Sequence, residues 1–339
     1  MKWFRSRFTP VTDWVQVEIS SCCPSSCGYC PRTVYRDSWQ PRTMTPETFQ
    51  NVLPALRKTK LTFLQGWGEP FLHPDFFEMA SAAKKLGCRV GTTTNGMLLD
   101  EGKIIRLVEC GLDVIAFSLA GTDERNDAAR EGTHLDRVLE NIRRLHTIKR
   151  ELGVSNPSIH IAYLLLKSGL KDGIQKLPRL LQGIGIAQVV ISTLAFIPDC
   201  DLEEEILFPS TLDECTALKK QLDAVVEEGK DSGLQINYYL GCPGHHQPVC
   251  TENVRRAFFV SSDGTVSPCV FTNIPVTDAS YYVRGVEYPY RNMTFGNLNE
   301  QSIGEIWYQK SYVDFRNSFD SDRLADCCRE CPKLYETMM

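Results

Sequence analysis

What is scarce in this 339-residue chain narrows its possible roles before any motif is read. No apolar run approaches the ~20 residues that a membrane-spanning helix needs, so no membrane partner is expected. Neither sign of charge dominates. Lys and Arg number 37 against 42 Asp and Glu, a net charge of −5. That balance leaves no electrostatic footprint for nucleic acid or an anionic surface. The N-terminal MKWFRSRFTPVTDW carries basic residues without an apolar stretch behind them, so it does not read as a secretory signal. Internal repeats and low-complexity segments are also missing. A reducing cytoplasm is the expected location, and there clustered cysteines more often bind metal than form disulfides.

Cysteine is what the chain has in quantity, 14 in all. Cys22, Cys23, Cys27 and Cys30 crowd the front, and Cys242, Cys250, Cys269, Cys327, Cys328 and Cys331 fall in the last hundred residues. The isolated Cys88, Cys110, Cys200 and Cys215 are read as small buried apolar residues. Two clusters at opposite ends suggest two metal sites.

Between them the pattern alternates. Short β-rich runs at Trp14–Ile19, Leu61–Leu64, Arg89–Thr93, Val114–Ser118, Ile159–Leu166 and Val189–Thr193 are separated by helical stretches. Thr45-Pro46 is a helix start, and Leu135, Val138, Leu139, Ile142, Leu145 and Ile148 form one apolar stripe at helical spacing. Strands alternating with helices predict a parallel sheet, either open and doubly wound or a partial barrel. The acidic FIPDCDLEEEILFPS is a connector before a helix near Leu212–Glu228, and AFFVSSDGTVSPCVF is a hairpin turning at Asp263-Gly264. Residues Asn273–Asn292 read as loop, and a helix is expected over Ser302–Phe315.

Cys23, Cys27 and Cys30 are spaced C-x3-C-x2-C just after the first strand. Four thiolates normally hold a 4Fe–4S cube; three leave one iron open to a small molecule. Zinc or a disulfide pair are the competing readings of the spacing. Cys22, adjacent to Cys23, is expected to point away from any such core.

With Tyr29 before the third cysteine, this motif resembles that of the radical S-adenosylmethionine (radical SAM) enzymes. Four further segments resemble that family in matching order. Gly66-Trp67-Gly68-Glu69 is similar to its Gly-Gly-Glu segment, which holds the SAM amine. Asn95 lies in the Thr-Asn-Gly that ends the third strand. Ser118 ends the fourth, and Arg130 follows 12 residues later, similar to the pair that approaches SAM and its carboxylate in the subfamily with auxiliary clusters. The resemblance covers about residues 14–195 and implies an α/β fold, a partial (β/α)6 TIM-like barrel. SAM would lie across the C-terminal strand edges, with Leu194 against the adenine.

Cys250, then Gly264, then Cys269 resembles the opening of the family's SPASM/twitch extension. The C-x2-C pair Cys328 and Cys331 would complete the shorter, twitch-like form, since no cysteine follows Cys331. One auxiliary 4Fe–4S cluster on Cys250, Cys269, Cys328 and Cys331 is implied, with Cys327 and Cys242 as alternative ligands. His245 and His246 read as exposed loop residues rather than ligands. A zinc ribbon is the structural alternative. The expected divisions are a barrel over residues 1–210, a connecting helix and strand over 211–240, and the auxiliary domain over 241–339.

The resemblance implies an oxygen-sensitive enzyme that cleaves SAM reductively to a 5′-deoxyadenosyl radical and abstracts hydrogen from a substrate. An electron donor such as flavodoxin or ferredoxin is implied. Cofactor or peptide maturation is the leaning. No peptide-recognition domain is evident ahead of Trp14, and a tungsten- or molybdenum-enzyme maturase enters by analogy alone. A dehydrogenase of a sugar alcohol or antibiotic precursor is the alternative within the family. Outside it stand a zinc-stabilised binding protein and a plain electron-transfer ferredoxin.

Overall fold

A computed structural model describes residues 9–171, 173–242, 250–321, 323–334 and, by backbone alone, 336–338. His245 and His246 lie outside the described residues. All six expected strands form: β1 (Thr12–Val17), β2 (Thr59–Leu64), β3 (Arg89–Thr94), β4 (Val114–Leu119), β5 (Ser158–Leu165) and β6 (Ile186–Thr193). They pair in parallel and in chain order. Helices α1 (Pro46–Leu56), α2 (Phe76–Lys84), α3 (Glu101–Glu109) and α4 (Leu135–Glu151) supply crossovers. Thr45 caps α1, its Oγ1 accepting from the Thr48 amide at 3.1 Å, with Pro46 in the first turn. Along α4 the stripe from Leu135 to Leu145 is buried, and each such Leu or Ile stabilises the fold by roughly 1.5–3 kcal/mol.

The sheet then continues past the barrel strands on both sides. After α5 (Leu212–Asp231), β7 (Gln235–Gly241) adds in parallel to β6. On the other side β8 (Ala257–Val260) pairs in parallel with β1, Trp14 opposite Ala257 and Val17 opposite Val260. The antiparallel β9 (Thr265–Ser267) follows. The resulting 11-stranded order is linear, so the barrel is partial. Gly264 turns the β8–β9 hairpin at φ +87°, a conformation that favours glycine. The auxiliary half therefore shares one sheet with the barrel.

Several expectations are corrected. The stretch read as loop contains a hairpin, β10 (Ser280–Val283) and β11 (Val286–Pro289), turned by Arg284 and Gly285, both at positive φ. The helix expected over Ser302–Phe315 is two, α6 (Ile303–Tyr308) and α7 (Lys310–Asn317), broken at extended Gln309. That break lets the Gln309 side-chain Nε2 donate to the Phe295 carbonyl and brings Tyr312 into a stack on Phe295, centroids 4.1 Å apart. Cys200 is exposed rather than packed, and Cys215 is bonded to Cys242, joining α5 to the end of β7. No helix among the described residues is long and apolar enough to cross a membrane.

Because β8 completes one side of β1, the halves should lose protection together. Phe258, 1% exposed and packed on Trp307, should cost about 3–5 kcal/mol when truncated to Ala. Native-state hydrogen exchange of Phe258→Ala is expected to lose protection in β1 and β2 as well as β8. Loss confined to β8 and β9 would contradict this.

Candidate active site

The front cysteines lie on the loop leaving β1, and backbone hydrogen bonds hold that loop from two sides. Ser26 and Cys27 pair antiparallel with Glu131 and Arg130, and the Gly28 amide donates to Ala129 O at 3.1 Å. On the other side the Glu69 amide donates to the Cys22 carbonyl at 2.7 Å. A Cβ on Gly68 would stand 2.4 Å from the carbonyl oxygens of Ser20 and Cys22, so only glycine permits this approach. Cys30 precedes the short helical turn Pro31–Val34. Cys22 turns aside, its sulfur 3.9 Å from the Arg42 carbonyl.

The other front residues converge on this loop, and Glu69 organises them. Its carboxylate is buried, accepting from Thr94 Oγ1 at 2.8 Å, the Asn95 amide at 2.8 Å and the Phe71 amide at 3.2 Å. Glu69 thereby tunes the end of β3. Burial pushes its pKa up. The Asn95 side chain donates to Ser25 Oγ at 3.1 Å and approaches the Cys23 sulfur at 3.7 Å. Arg130 is buried and donates to the Tyr29 hydroxyl at 2.6 Å. Ser118 alternates with buried Phe117 and Leu119 and so lies on the other face of β4. Leu194 is buried just past β6, in the apolar group against which Tyr29 packs. Trp67 points elsewhere: its indole donates to Asn273 O at 2.9 Å and packs on Phe271, both in the auxiliary half.

Do these residues fit the groups they are expected to hold? Burial, with repulsion from neighbouring thiols, pushes Cys23 up and Cys30 to about 11. Among the described residues, the one Cys/His/Asp/Glu trio whose ligand atoms gather within 4.8 Å is Asp199, Cys200 and Asp201. The front sulfurs are spread wider than that. A single zinc at 2.3 Å from each thiolate would draw them to ~3.8 Å, so the spread suits a larger core such as a cube. Among the described residues, six buried side-chain atoms lack a hydrogen-bond partner. Three of them flank the front segments: Thr33 Oγ1 after Cys30, Gln65 Oε1 before Gly66, and Arg130 Nε. Such orphaned groups are costly unless a polar ligand meets them. SAM, with an ammonium, a carboxylate and hydroxyls, offers the complementary set.

The structure also gathers the four expected rear cysteines. Burial, then Cys331, pushes Cys250 up; burial, then Glu252, Cys250 and Cys331, pushes Cys269 well up. Cys328 is raised by its contact with Cys327, then by burial, with Cys269 and Cys331 adding to it. Cys327 lies 3.9 Å from the Cys328 sulfur. Cys242, bonded to Cys215, leaves the set of alternative ligands. A cavity of 1760 Å³ is lined by Thr193 and Leu194 at the end of β6 and by Cys250, Cys269, Cys328 and Cys331. Tyr281 and Tyr290 also line it, Tyr281 stacked on Phe196 with centroids 5.7 Å apart.

Sequence reading missed Gln65 and the tyrosine-bearing hairpin. The β-favouring Tyr and Val residues on either side of a two-residue turn were the available signal, obscured because Arg284, not Asn or Asp, precedes the glycine. Replacing Cys22 tests the front arrangement. Cys22→Ser should retain the cluster iron, whereas Cys23→Ser should lose about four iron atoms per chain. Iron analysis after anaerobic purification measures both, and iron loss in Cys22→Ser would overturn the assignment.

Comparison with known proteins places these features in a family. Residues 17–166 match the model of the radical SAM superfamily, and residues 250–332 match that of the SPASM iron–sulfur cluster-binding domain. The chain is 26% identical to the tungsten-containing aldehyde ferredoxin oxidoreductase cofactor-modifying protein of Pyrococcus furiosus, over 94% of this chain and 86% of that protein. It is 24% identical to the PqqA peptide cyclase of Granulibacter bethesdensis, over 93% of this chain and 78% of that protein. Its fold is similar to Streptococcus suis SuiB bound to S-adenosylmethionine, with TM-score 0.64, 16% identity, and coverage of 93% and 70% of the two chains. The parallel partial barrel with its three-cysteine loop and the second cysteine-bearing half thus have counterparts in sequence: this chain carries a radical SAM domain followed by a SPASM iron–sulfur cluster-binding domain.

Proposed function

We propose that the protein is a maturase that modifies a peptide or a cofactor precursor by SAM-dependent hydrogen abstraction. The observation that carries this reading is the 1760 Å³ cavity between the β6 outlet and the rear cysteines. Pockets for drug-sized molecules are about 300–1,000 Å³. This one has room for a four-iron core and for a substrate larger than a simple sugar. Two relatives whose names denote peptide cyclisation and cofactor modification support the same reading.

In this proposal Cys23, Cys27 and Cys30 hold the front cluster, while Cys250, Cys269, Cys328 and Cys331 hold the auxiliary one. When bound, the front cluster and SAM supply one-electron cleavage to a 5′-deoxyadenosyl radical. The chain's own residues orient the reactants and exclude water. Gly66–Glu69 receives the SAM amine, Arg130 binds the carboxylate while held by Tyr29, and Leu194 covers the adenine. Asn95 steadies the Cys23 sulfur. Tyr281 and Tyr290 present aromatic faces to substrate in the cavity. A reduced flavodoxin or ferredoxin in the cytoplasm would supply the electron.

Anaerobically purified protein is expected to be brown, with about eight iron and eight sulfide per chain; colourless protein carrying zinc would exclude the reading. Cys27→Ala should lose about half the iron and all 5′-deoxyadenosine formation. Cys328→Ser with Cys331→Ser should also lose about half the iron, but continue to cleave SAM without modifying substrate. Incubation with deuterated peptide, cofactor-precursor and sugar-alcohol candidates, read by mass spectrometry of 5′-deoxyadenosine, identifies the substrate class. Label taken only from the sugar alcohol would replace maturation with dehydrogenation.

A further inference from the structure

Glu18 lies one residue past β1, is 1% exposed, and has no part in the chemistry above. One of its carboxylate oxygens accepts from the Trp67 backbone amide at 2.8 Å, and the other accepts from the Ser262 hydroxyl at 3.3 Å. Gly66 makes room for it, since a Cβ there would stand 2.4–2.5 Å from Glu18 Cγ, Cβ and Oε2. Burying a carboxyl group is costly, and the cost here is visible as a pKa raised to about 7, chiefly by burial. A group kept at that cost on one particular amide calls for an explanation.

The explanation lies in peptide geometry. A trans peptide is planar, and its N–H and C=O point in opposite directions. The Gly66–Trp67 bond is trans, Asn156–Pro157 being the cis bond among the described residues. Holding the Trp67 N–H on Glu18 therefore aims the Gly66 carbonyl away from Glu18. Among the described residues that carbonyl accepts no hydrogen bond. On the preceding residue Gln65 Oε1 is buried and also without a partner. Two unused acceptors on consecutive residues suit a donor-only cation, and an ammonium group carries three N–H donors.

We infer that Glu18 is a positioning residue for the SAM ammonium group, presenting the carbonyl of Gly66, the residue after Gln65, by holding the Trp67 amide from behind. The inference rests on the proposed reading of residues 66–69 as the SAM-amine segment. Glu18 does not touch SAM. Its second bond, to Ser262 at the β8–β9 turn, makes the auxiliary half part of the same support.

The test is equilibrium binding to the anaerobic, iron-loaded protein with two probes. SAM carries the ammonium; 5′-methylthioadenosine keeps the adenosine and lacks the amino acid portion. Glu18→Leu, which removes the acceptor at similar volume, should bind SAM about tenfold more weakly or worse, the loss of roughly one hydrogen bond to a charged group. Its affinity for 5′-methylthioadenosine and its iron content should be unchanged. Glu18→Gln, which keeps an acceptor oxygen, should bind SAM within about threefold of the parent protein. Should Glu18→Leu fail to fold, Gln65→Leu carries the test, with selective weakening of SAM again expected. Unchanged SAM affinity in Glu18→Leu, or equal loss for both probes, overturns the inference. Arg130→Lys separates the two levels. If it weakens SAM binding while Glu18→Leu does not, the positioning role alone fails. If neither weakens it, the SAM-site reading fails and the inference with it.

Discussion

The parallel pairing of β1 with β8 is the contact on which the rest of the arrangement depends. Strand pairing places residues by backbone hydrogen bonds, with little tolerance for slippage where both faces are buried. β1 is flanked by β2 on one side and β8 on the other. Because both pairings are parallel, the segments leaving β1, β2 and β8 emerge on one edge. Glu18, Trp67 and Ser262 meet there, and Trp67 extends the junction to Asn273. Two segments far apart in sequence are thus registered by one ladder.

A second constraint is electrostatic. Each cysteine group is buried closely enough that its thiols oppose one another's ionisation. Folding alone would not favour such sets, since desolvation and like charge both act against the thiolate. A polynuclear iron core reverses the balance by placing cations among the sulfurs. The orphaned Arg130 Nε and Gln65 Oε1 follow the same logic at the proposed SAM position.

Much of this was legible in the residues. Six strands and the α4 stripe came from hydrophobic period, a tertiary-independent signal, and they formed within a few residues of their expected bounds. The cysteine spacing, the Thr45-Pro46 cap and the Asp263-Gly264 turn are equally local. The departures come from contacts distant in sequence. Gln309 breaks a helix to reach Phe295, and Cys215 finds Cys242 once β7 folds against α5. The Ser280–Pro289 hairpin carries its turn on an unfavourable dipeptide and relies on packing against the β6 outlet, where the Tyr282 amide donates to Ile197 O at 2.9 Å.

The sequence by itself determined the chemistry on offer: three thiolates at one end, a second set behind, and glycines where the backbone must come close. Ligand spacing and turn residues act over a few positions, so they can be read without a fold. Only the tertiary structure decided which donors and acceptors are spent and which remain. Glu69 turned out to be consumed by β3, the Trp67 indole by the auxiliary half, and the Trp67 amide by Glu18. Hydrogen-bond saturation depends on partners brought from elsewhere in the chain, and no local pattern specifies them.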